Sequence, residues 1–191
     1  MTLIICHEMG HLIGGFPFVG GNPFAGAGIA NEGEADYFST HVCAKKLWGS
    51  DTTRNSEFRQ TVQRFAKEKC DQVYANQSEQ DLCYRATVGA ESVIATMASL
   101  KKEQMGQFET PDLSVVTSTN PNHPATQCRM DTVFQGAICS AYFNELIIPG
   151  KNASGGATGV EAEKEAALNS CTKLSEYTIG LRPQCWFKPR M

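Results

Sequence analysis

Two histidines four residues apart, His7 and His11, lie near the start of the chain in an apolar segment. Apolar residues recur there at three- and four-residue spacing, beginning with Leu3 and Cys6, and this pattern predicts a helix over residues 2–13. Two glycines follow and are expected to end it. Side chains four residues apart lie one above the other on a helix. Both imidazoles can therefore point at a single metal ion.

The residue after the first histidine, Glu8, completes a His-Glu-x-x-His pattern. From its position the carboxylate can reach a water on the metal without binding the metal itself, which suits a general base. The five-residue pattern also arises by chance in unrelated proteins. A third metal ligand is needed to make it specific.

A third histidine ligand is not available at the spacing that one group of zinc peptidases uses, because Pro17 occupies that position. Downstream, the segment Asn-Glu-Gly-Glu-Ala-Asp carries Glu32 and Asp36 four residues apart on a predicted helix. We predict that Glu32 is the third ligand and that Asp36 accepts a hydrogen bond from His7. Glu34 is expected to be a solvated surface carboxylate. Two histidines, one glutamate and a water match an open, catalytic zinc site.

These motifs resemble those of the gluzincin peptidases. His-Glu-x-x-His at residues 7–11 and Glu-x-x-Ala-Asp, read here from Glu32 as Glu-Gly-Glu-Ala-Asp, are similar to the HtpX-like and CAAX-prenyl endopeptidase family. Residues 123–129 resemble the His-Pro-x-x-x-x-Arg segment that lies downstream in that family. The resemblance covers roughly residues 1–50 and 118–145.

The resemblance implies a mainly α, zincin-like metallopeptidase domain with a small or truncated β element, one bound Zn²⁺ ion, and a protein or peptide substrate. It also implies that His123 lies near the zinc as a transient ligand or oxyanion donor, and that Arg129 holds that loop. The alternative is that His123 stands at the start of a helix and forms a hydrogen bond to the backbone. Tyr37 and Tyr142 are further candidate oxyanion donors, whereas His41 is expected to be a packed or surface histidine.

The chain departs from that family in its lack of membrane helices, its cysteine content and the short linker between the two zinc elements. Two rival interpretations stay open. One is a secreted binding or structural domain that keeps the zincin scaffold and its metal but no longer cleaves peptides. The other is a disulfide-rich interaction domain in which the histidine motif is accidental and no zinc binds.

Length and charge favour one domain over residues 1–191 and exclude two partner classes. A net charge of −3 gives no basic surface for nucleic acid, and no apolar run is long enough to span a membrane. A catalytic helix at residue 2 predicts that some native N-terminal sequence precedes this chain, and no signal peptide is recognisable in it.

Eight cysteines spread along the chain are typical of a disulfide set formed in an oxidising compartment. This predicts a secreted or periplasmic location, and the alternative is eight buried free thiols. Among the possible pairings we favour Cys70 with Cys83 and Cys171 with Cys185.

Further helices are predicted from apolar periodicity and breaker residues. Phe16, Phe18 and Phe24 are expected to anchor the Gly- and Pro-rich loop 14–28. Leu113 to Thr117 favours a β conformation, as an edge strand or a covering loop, and residues 149–159 form a glycine-rich loop. The predicted helices cover residues 29–48, 55–74, 78–105, 124–146 and 160–177.

Overall fold

The computed structural model describes residues 1–20 and 28–190, and it is mainly helical with one small sheet, as predicted. Phe24 lies outside the described residues. Among those that are described, no helix has the length and apolar character needed to cross a membrane. The elements, in chain order, are α1 Thr2–Ile13, β1 Phe18–Val19, β2 Ile29–Ala30, α2 Glu32–Phe38, a π-helical turn Ser39–Cys43, α3 Ala44–Trp48, α4 Thr52–Ser56, a 3₁₀ turn Glu57–Gln60, α5 Arg64–Val73, α6 Gln77–Lys101, α7 Thr126–Ala137, α8 Val160–Ala167 and a 3₁₀ turn Lys173–Ser175.

The main hydrophobic core surrounds α6, the longest helix, which packs against α4, α5 and α7. Its residues Ala86, Ala90 and Ile94 are almost fully buried. The small side chains of Ala86 and Ala90 let neighbouring helices come close, and Ile94 fills the core beside them. The core thereby fixes where α1 and α7 lie relative to each other.

Helices α1 and α2 touch backbone to backbone at Gly10. A Cβ added to Gly10 would lie 2.8 Å from Ala35 Cα and 3.0 Å from the Ala35 carbonyl oxygen. Only glycine fits there, because backbone atoms cannot move aside as a side chain can. Gly10 belongs to the histidine motif and Ala35 to the acidic segment, so this contact joins the two predicted ligand sets.

The predicted helix over residues 29–48 starts later than expected. Ile29 and Ala30 form a strand that pairs antiparallel with Phe18 and Val19. Asn31 then caps α2, since its side chain accepts a hydrogen bond from the Glu34 amide. From Glu32 the chain stays helical to Trp48, through the π-helical turn.

Three other helix predictions were too long. The predicted helix at 55–74 breaks at Thr61 and Val62, a β-branched pair, where Val62 turns into the core. Helix α6 ends at Lys101, because Lys102 adopts the left-handed conformation with φ of 58° and closes the helix. Helix α7 spans only Thr126–Ala137 of the predicted 124–146.

The last predicted helix, 160–177, is also interrupted: α8 ends at Ala167 and only a 3₁₀ turn follows. Residues 113–117 form a covering loop rather than a paired strand, with the Val116 amide donating to the Gln184 carbonyl. Loop residues Phe16 and Phe18 do act as anchors, packed into a second apolar cluster with Trp186.

All eight cysteines form disulfides, which confirms a disulfide-bonded chain and rules out eight free thiols. The pairing of Cys70 with Cys83 is confirmed. The predicted pairing of Cys171 with Cys185 is wrong, because Cys171 lies beside Cys139 at the end of α7 and Cys185 lies beside Cys128 within α7. The bonds are Cys6–Cys43, Cys70–Cys83, Cys128–Cys185 and Cys139–Cys171.

A Gly10→Ala substitution should destabilise the protein by about 1–2 kcal/mol, because overpacking against the α2 backbone outweighs the better helix propensity of alanine. Denaturant unfolding measures this change. The matched control is Gly89→Ala in the middle of α6, where the added Cβ meets only the movable side-chain ends of Leu3 and Trp48. Equal stability effects for the two variants would contradict the close α1–α2 contact.

Candidate metal centre

Three side chains from α1 and α2 converge on one point. His7 Nε2 lies 3.2 Å from Glu32 Oε2, and His11 Nε2 lies 3.6 Å from Glu32 Oε1. One donor atom from each of the three residues lies within 4.8 Å of the others. Each imidazole therefore faces a different oxygen of the same carboxylate.

The donor set fits a zinc ion in both chemistry and spacing. Zinc–nitrogen and zinc–oxygen bonds of about 2.0–2.1 Å in a tetrahedron put neighbouring ligand atoms roughly 3.3 Å apart, close to the separations seen here. Glu32 Oε2 is buried and makes no hydrogen bond to any described residue, although His7 Nε2 and His123 Nε2 both lie near it. A buried carboxylate oxygen left unpaired in this way is costly, and a cation would satisfy it.

The far side of each imidazole faces an acceptor, which orients its ring. His11 Nδ1 lies 2.8 Å from the Ala30 carbonyl oxygen, so the Nδ1-protonated tautomer leaves Nε2 free to bind a metal. His7 Nδ1 lies 2.8 Å from Asp36 Oδ1, off the ideal hydrogen-bond angle. Strand β2 thus supports one ligand and helix α2 the other.

Behind His7, Asp36 forms a buried ion pair with Arg129 of α7. Arg129 Nε and Nη2 each donate to one Asp36 oxygen at 2.7 Å. Burial raises the pKa of Asp36, but the His7 contact and the Arg129 guanidinium outweigh burial and hold that pKa below its usual value. Burial lowers the pKa of His7, but the carboxylates of Asp36 and Glu32 together more than reverse this, so the His7 pKa is raised. Asp36 is therefore an anion that fixes His7.

The loop before α7 brings His123 to the same carboxylate. His123 Nε2 lies 3.1 Å from Glu32 Oε2, yet the His123 side chain is 56% exposed. His123 therefore lies beside the centre. It does not stand at the start of a helix with a hydrogen bond to the backbone. Its exposure leaves the ring free to turn.

Asn31 is a residue that the sequence interpretation missed. Its Oδ1 accepts the Glu34 amide at the start of α2, and its Nδ2 donates to the Asn120 carbonyl at 3.0 Å. One buried side chain thereby ties the helix that carries Glu32 to the loop that carries His123. The sequence prediction placed Asn31 inside the helix over residues 29–48, although an asparagine directly before the acidic residues 32–36 is a capping signal that could have identified half of this role.

Glu8 lies next to the centre on the exposed side of α1. It lines a small cavity together with His7 and His123. The Glu8 carboxylate is thus near the candidate ligands without being one of the three that converge.

The prediction of a solvated Glu34 is wrong. Glu34 is only 3% exposed, and Arg182 Nη2 donates to it at 2.8 Å while Arg182 Nη1 donates to Ser170. Burial raises the pKa of Glu34 although the Arg182 guanidinium opposes this. The C-terminal segment folds over α2, where Trp186 lies against Gly33. The residues next to Glu34 in the sequence give no sign that this distant segment buries it.

Of the other candidate oxyanion donors, Tyr37 is engaged elsewhere, and Tyr142 is not among the residues that line the cavity beside Glu8. Tyr37 is fully buried and its hydroxyl donates to the Gly180 carbonyl at 2.6 Å, whereas Tyr142 is 79% exposed. His41 is packed as expected, with Nε2 lying 3.0 Å from the Ala141 carbonyl oxygen. Burial is the main reason that the pKa of His41 falls to about 3, so this ring is neutral.

Comparison with known proteins identifies no relative, since no protein-family model, curated protein or solved structure matches the chain. Membership of the gluzincins therefore stays a prediction carried by the motifs.

Replacing Glu32 by glutamine should lower zinc affinity by at least about tenfold, because the ligand loses its charge and one strong metal-binding oxygen. Competition with a chromogenic chelator measures the affinity. The control is Glu161→Gln on the exposed face of α8, which should bind zinc as the unchanged protein does. Equal affinity for Glu32→Gln and the unchanged protein would remove Glu32 from the ligand set.

Replacing Asp36 by asparagine should lower zinc affinity about 10–100-fold by releasing His7. It should also destabilise the fold by about 3–5 kcal/mol, because the buried Arg129 charge loses its partner. Asp51→Asn is the control, since Asp51 pairs with Arg85 but its side chain is 47% exposed. Chelator competition measures the zinc affinity, and denaturant unfolding measures the stability. A loss of affinity alone would limit the role of Asp36 to His7, and a loss of stability alone would limit it to Arg129.

Proposed function

We propose that this protein is a zinc-dependent peptidase of the gluzincin type, secreted or periplasmic, that hydrolyses peptide bonds. The observation that carries the proposal is the convergence of His7 Nε2, His11 Nε2 and the Glu32 carboxylate. Two histidines and one glutamate are the ligand set of an open, catalytic zinc site. The four disulfides support the location, because such bonds persist in oxidising compartments.

The bound zinc would act as a Lewis acid, bringing the pKa of a water toward about 7 and polarising the substrate carbonyl. His7, His11 and Glu32 would hold the ion. Asp36 keeps His7 oriented, and Arg129 keeps Asp36 ionised and in place. The protein therefore holds the metal-binding side chains in fixed positions.

Glu8 is the proposed proton carrier. Its carboxylate accepts the proton of the attacking water and then delivers it to the leaving amine. His123, exposed and next to Glu32, is the best-placed candidate to donate a hydrogen bond to the oxyanion, since Tyr37 is engaged elsewhere.

A catalytically silent zincin-scaffold domain, secreted and zinc-bound, is the main alternative. It needs the same ligands and the same Asp36–Arg129 support. The presence of Glu8 distinguishes the peptidase from the silent scaffold, because a carboxylate that binds no metal and lies on the exposed side of α1 has no role in holding the fold. We therefore favour the enzyme.

A Glu8→Gln substitution should abolish cleavage of an unfolded protein substrate while leaving one zinc per chain. Losing the general base removes about 10²–10⁴ in rate. Mass spectrometry of peptides and metal analysis measure the two outcomes, with Glu57→Gln on the protein surface as control. Zinc retention without cleavage by either the unchanged protein or the control would favour the silent scaffold, and a chain that binds no zinc would exclude both functions.

A further inference from the structure

A large groove lies on the side of α7 that faces away from the candidate centre. Arg129 and Val133 of α7 line the small cavity at the centre, whereas Phe134 and Ile138 point to the other side and line the groove. The groove has a volume of about 850 Å³ and shares no lining residue with the small cavity. Sites for small molecules typically measure about 300–1,000 Å³. The groove is therefore large enough to hold a ligand that leaves the metal centre untouched.

The floor of the groove is apolar and largely aromatic. The ring centroid of Phe134 lies 4.7 Å from that of Phe108 and 6.0 Å from that of Phe65. Ile138 and Leu181 extend the floor beyond the rings. Because Phe108 and Phe134 are almost fully buried in the main core, the floor is already formed before a ligand arrives. An apolar chain that lies on it would leave water without rearranging the core.

The acidic side chains that line the groove already have hydrogen-bond partners. Asp131 accepts hydrogen bonds from the Asp112 amide and from a glutamine side chain of α7, both at 2.7 Å. The Asp112 carboxylate accepts from the Ser114 amide, and Glu163 accepts from the Arg190 amide at 3.0 Å. These carboxylates are therefore held by the protein and are not free to fix a cationic group of a ligand.

Three lysines line the groove without an acidic partner among the described residues. They are Lys69 of α5 and, in the C-terminal part of the chain, Lys173 and Lys188. The lysine ion pairs of the described chain involve Lys46 and Lys164 instead. Lys173 and Lys188 are exposed, so their ammonium groups lie at the edge of the groove, above the apolar floor. An apolar floor with a cationic edge is complementary to a molecule that has an apolar body and one negative group.

The walls of the groove suit a small molecule better than a peptide. They consist of α5, α7, α8 and loops, and neither β1 nor β2, the only strands in the part of the chain that the structure describes, contributes a residue. The Val116 amide, in the loop beside the groove, already donates to the Gln184 carbonyl. A peptide backbone would therefore lie against apolar side chains without hydrogen-bond partners. An alkyl chain has no polar groups that need them.

From these features we propose that the groove is a binding site for an anionic amphiphile of the long-chain carboxylate class. The alkyl chain lies along the floor around Phe134, and the carboxylate stays at the edge with Lys69, Lys173 and Lys188. Each CH₂ group that the floor removes from water tightens binding about fourfold. This site goes beyond the proposed peptidase function and does not depend on it, because no residue of the metal centre lines the groove.

Isothermal titration calorimetry of the full, disulfide-bonded chain with octanoate, decanoate and dodecanoate, each below its critical micelle concentration, tests the proposal. We expect one molecule per chain and an affinity that rises roughly tenfold for every two carbons. Decanoate should bind at least about fivefold more tightly than decanol or decyltrimethylammonium. Replacing Lys69, Lys173 and Lys188 together by glutamine should remove the preference for decanoate over decanol. The affinity for decanol should stay the same, which also shows that the variant is folded.

The matched control is Lys164→Gln, because Lys164 is an exposed lysine of α8 that does not line the groove. This variant should bind decanoate as the unchanged protein does. Methyl NMR locates the ligand: decanoate should shift the signals of Ile138 and Leu181. It should leave those of Leu47 and Ile147, which line a separate apolar groove beside α3, in place.

Four results would overturn the proposal. The first is no binding of dodecanoate, or an affinity that does not change with chain length. The second is equal affinity for the carboxylate and the ammonium, or an equal loss of decanoate and decanol binding in the triple lysine variant. The third is a set of NMR shifts confined to Leu47 and Ile147. The fourth is tighter binding of acetylated trileucine than of dodecanoate, since the groove would then be a peptide site.

Discussion

The backbone contact between Gly10 and Ala35 is the constraint on which the centre depends. Helix α1 carries both histidines and α2 carries Glu32, and the imidazoles reach the carboxylate only because the two helices lie this close. The Cys6–Cys43 disulfide joins α1, at the residue before His7, to the π-helical turn that follows α2. A covalent bond and a glycine contact therefore fix one relative position of the two helices.

Two buried ion pairs lie around that contact. Asp36 bridges His7 on α1 and Arg129 on α7, so the ion pair joins the metal-binding helices to the core. Glu34, two residues earlier on α2, pairs with Arg182 of the C-terminal segment. Buried ion pairs of this kind add little net stability but fix geometry, because a displaced partner leaves an unpaired charge. Both pairs keep α2 in a single orientation.

Much of the centre could be predicted from sequence because its ligands lie in local patterns. Helix α1 was predicted with its observed bounds, and the four-residue spacing that aligned His7 with His11 is a property of any helix. Asp36 was assigned to His7 from a four-residue spacing as well, and His7 Nδ1 lies 2.8 Å from Asp36 Oδ1 in the structure. These inferences needed no knowledge of distant parts of the chain.

The errors came from long-range partners. Glu34 looked solvated because Arg182, 148 residues away, is not visible to a local pattern. The wrong pairing of Cys171 with Cys185 arose in the same way, since proximity in sequence does not reveal that their partners are Cys128 in α7 and Cys139 just after it. Helix ends were overextended where a β-branched pair or a left-handed residue interrupted the periodicity.

The most direct test of the central claim is zinc K-edge X-ray absorption on the purified, disulfide-bonded protein. The account predicts one zinc per chain with two imidazoles and oxygen ligands at about 2.0–2.2 Å. A sulfur shell near about 2.3 Å, or protein that takes up no zinc, would contradict it.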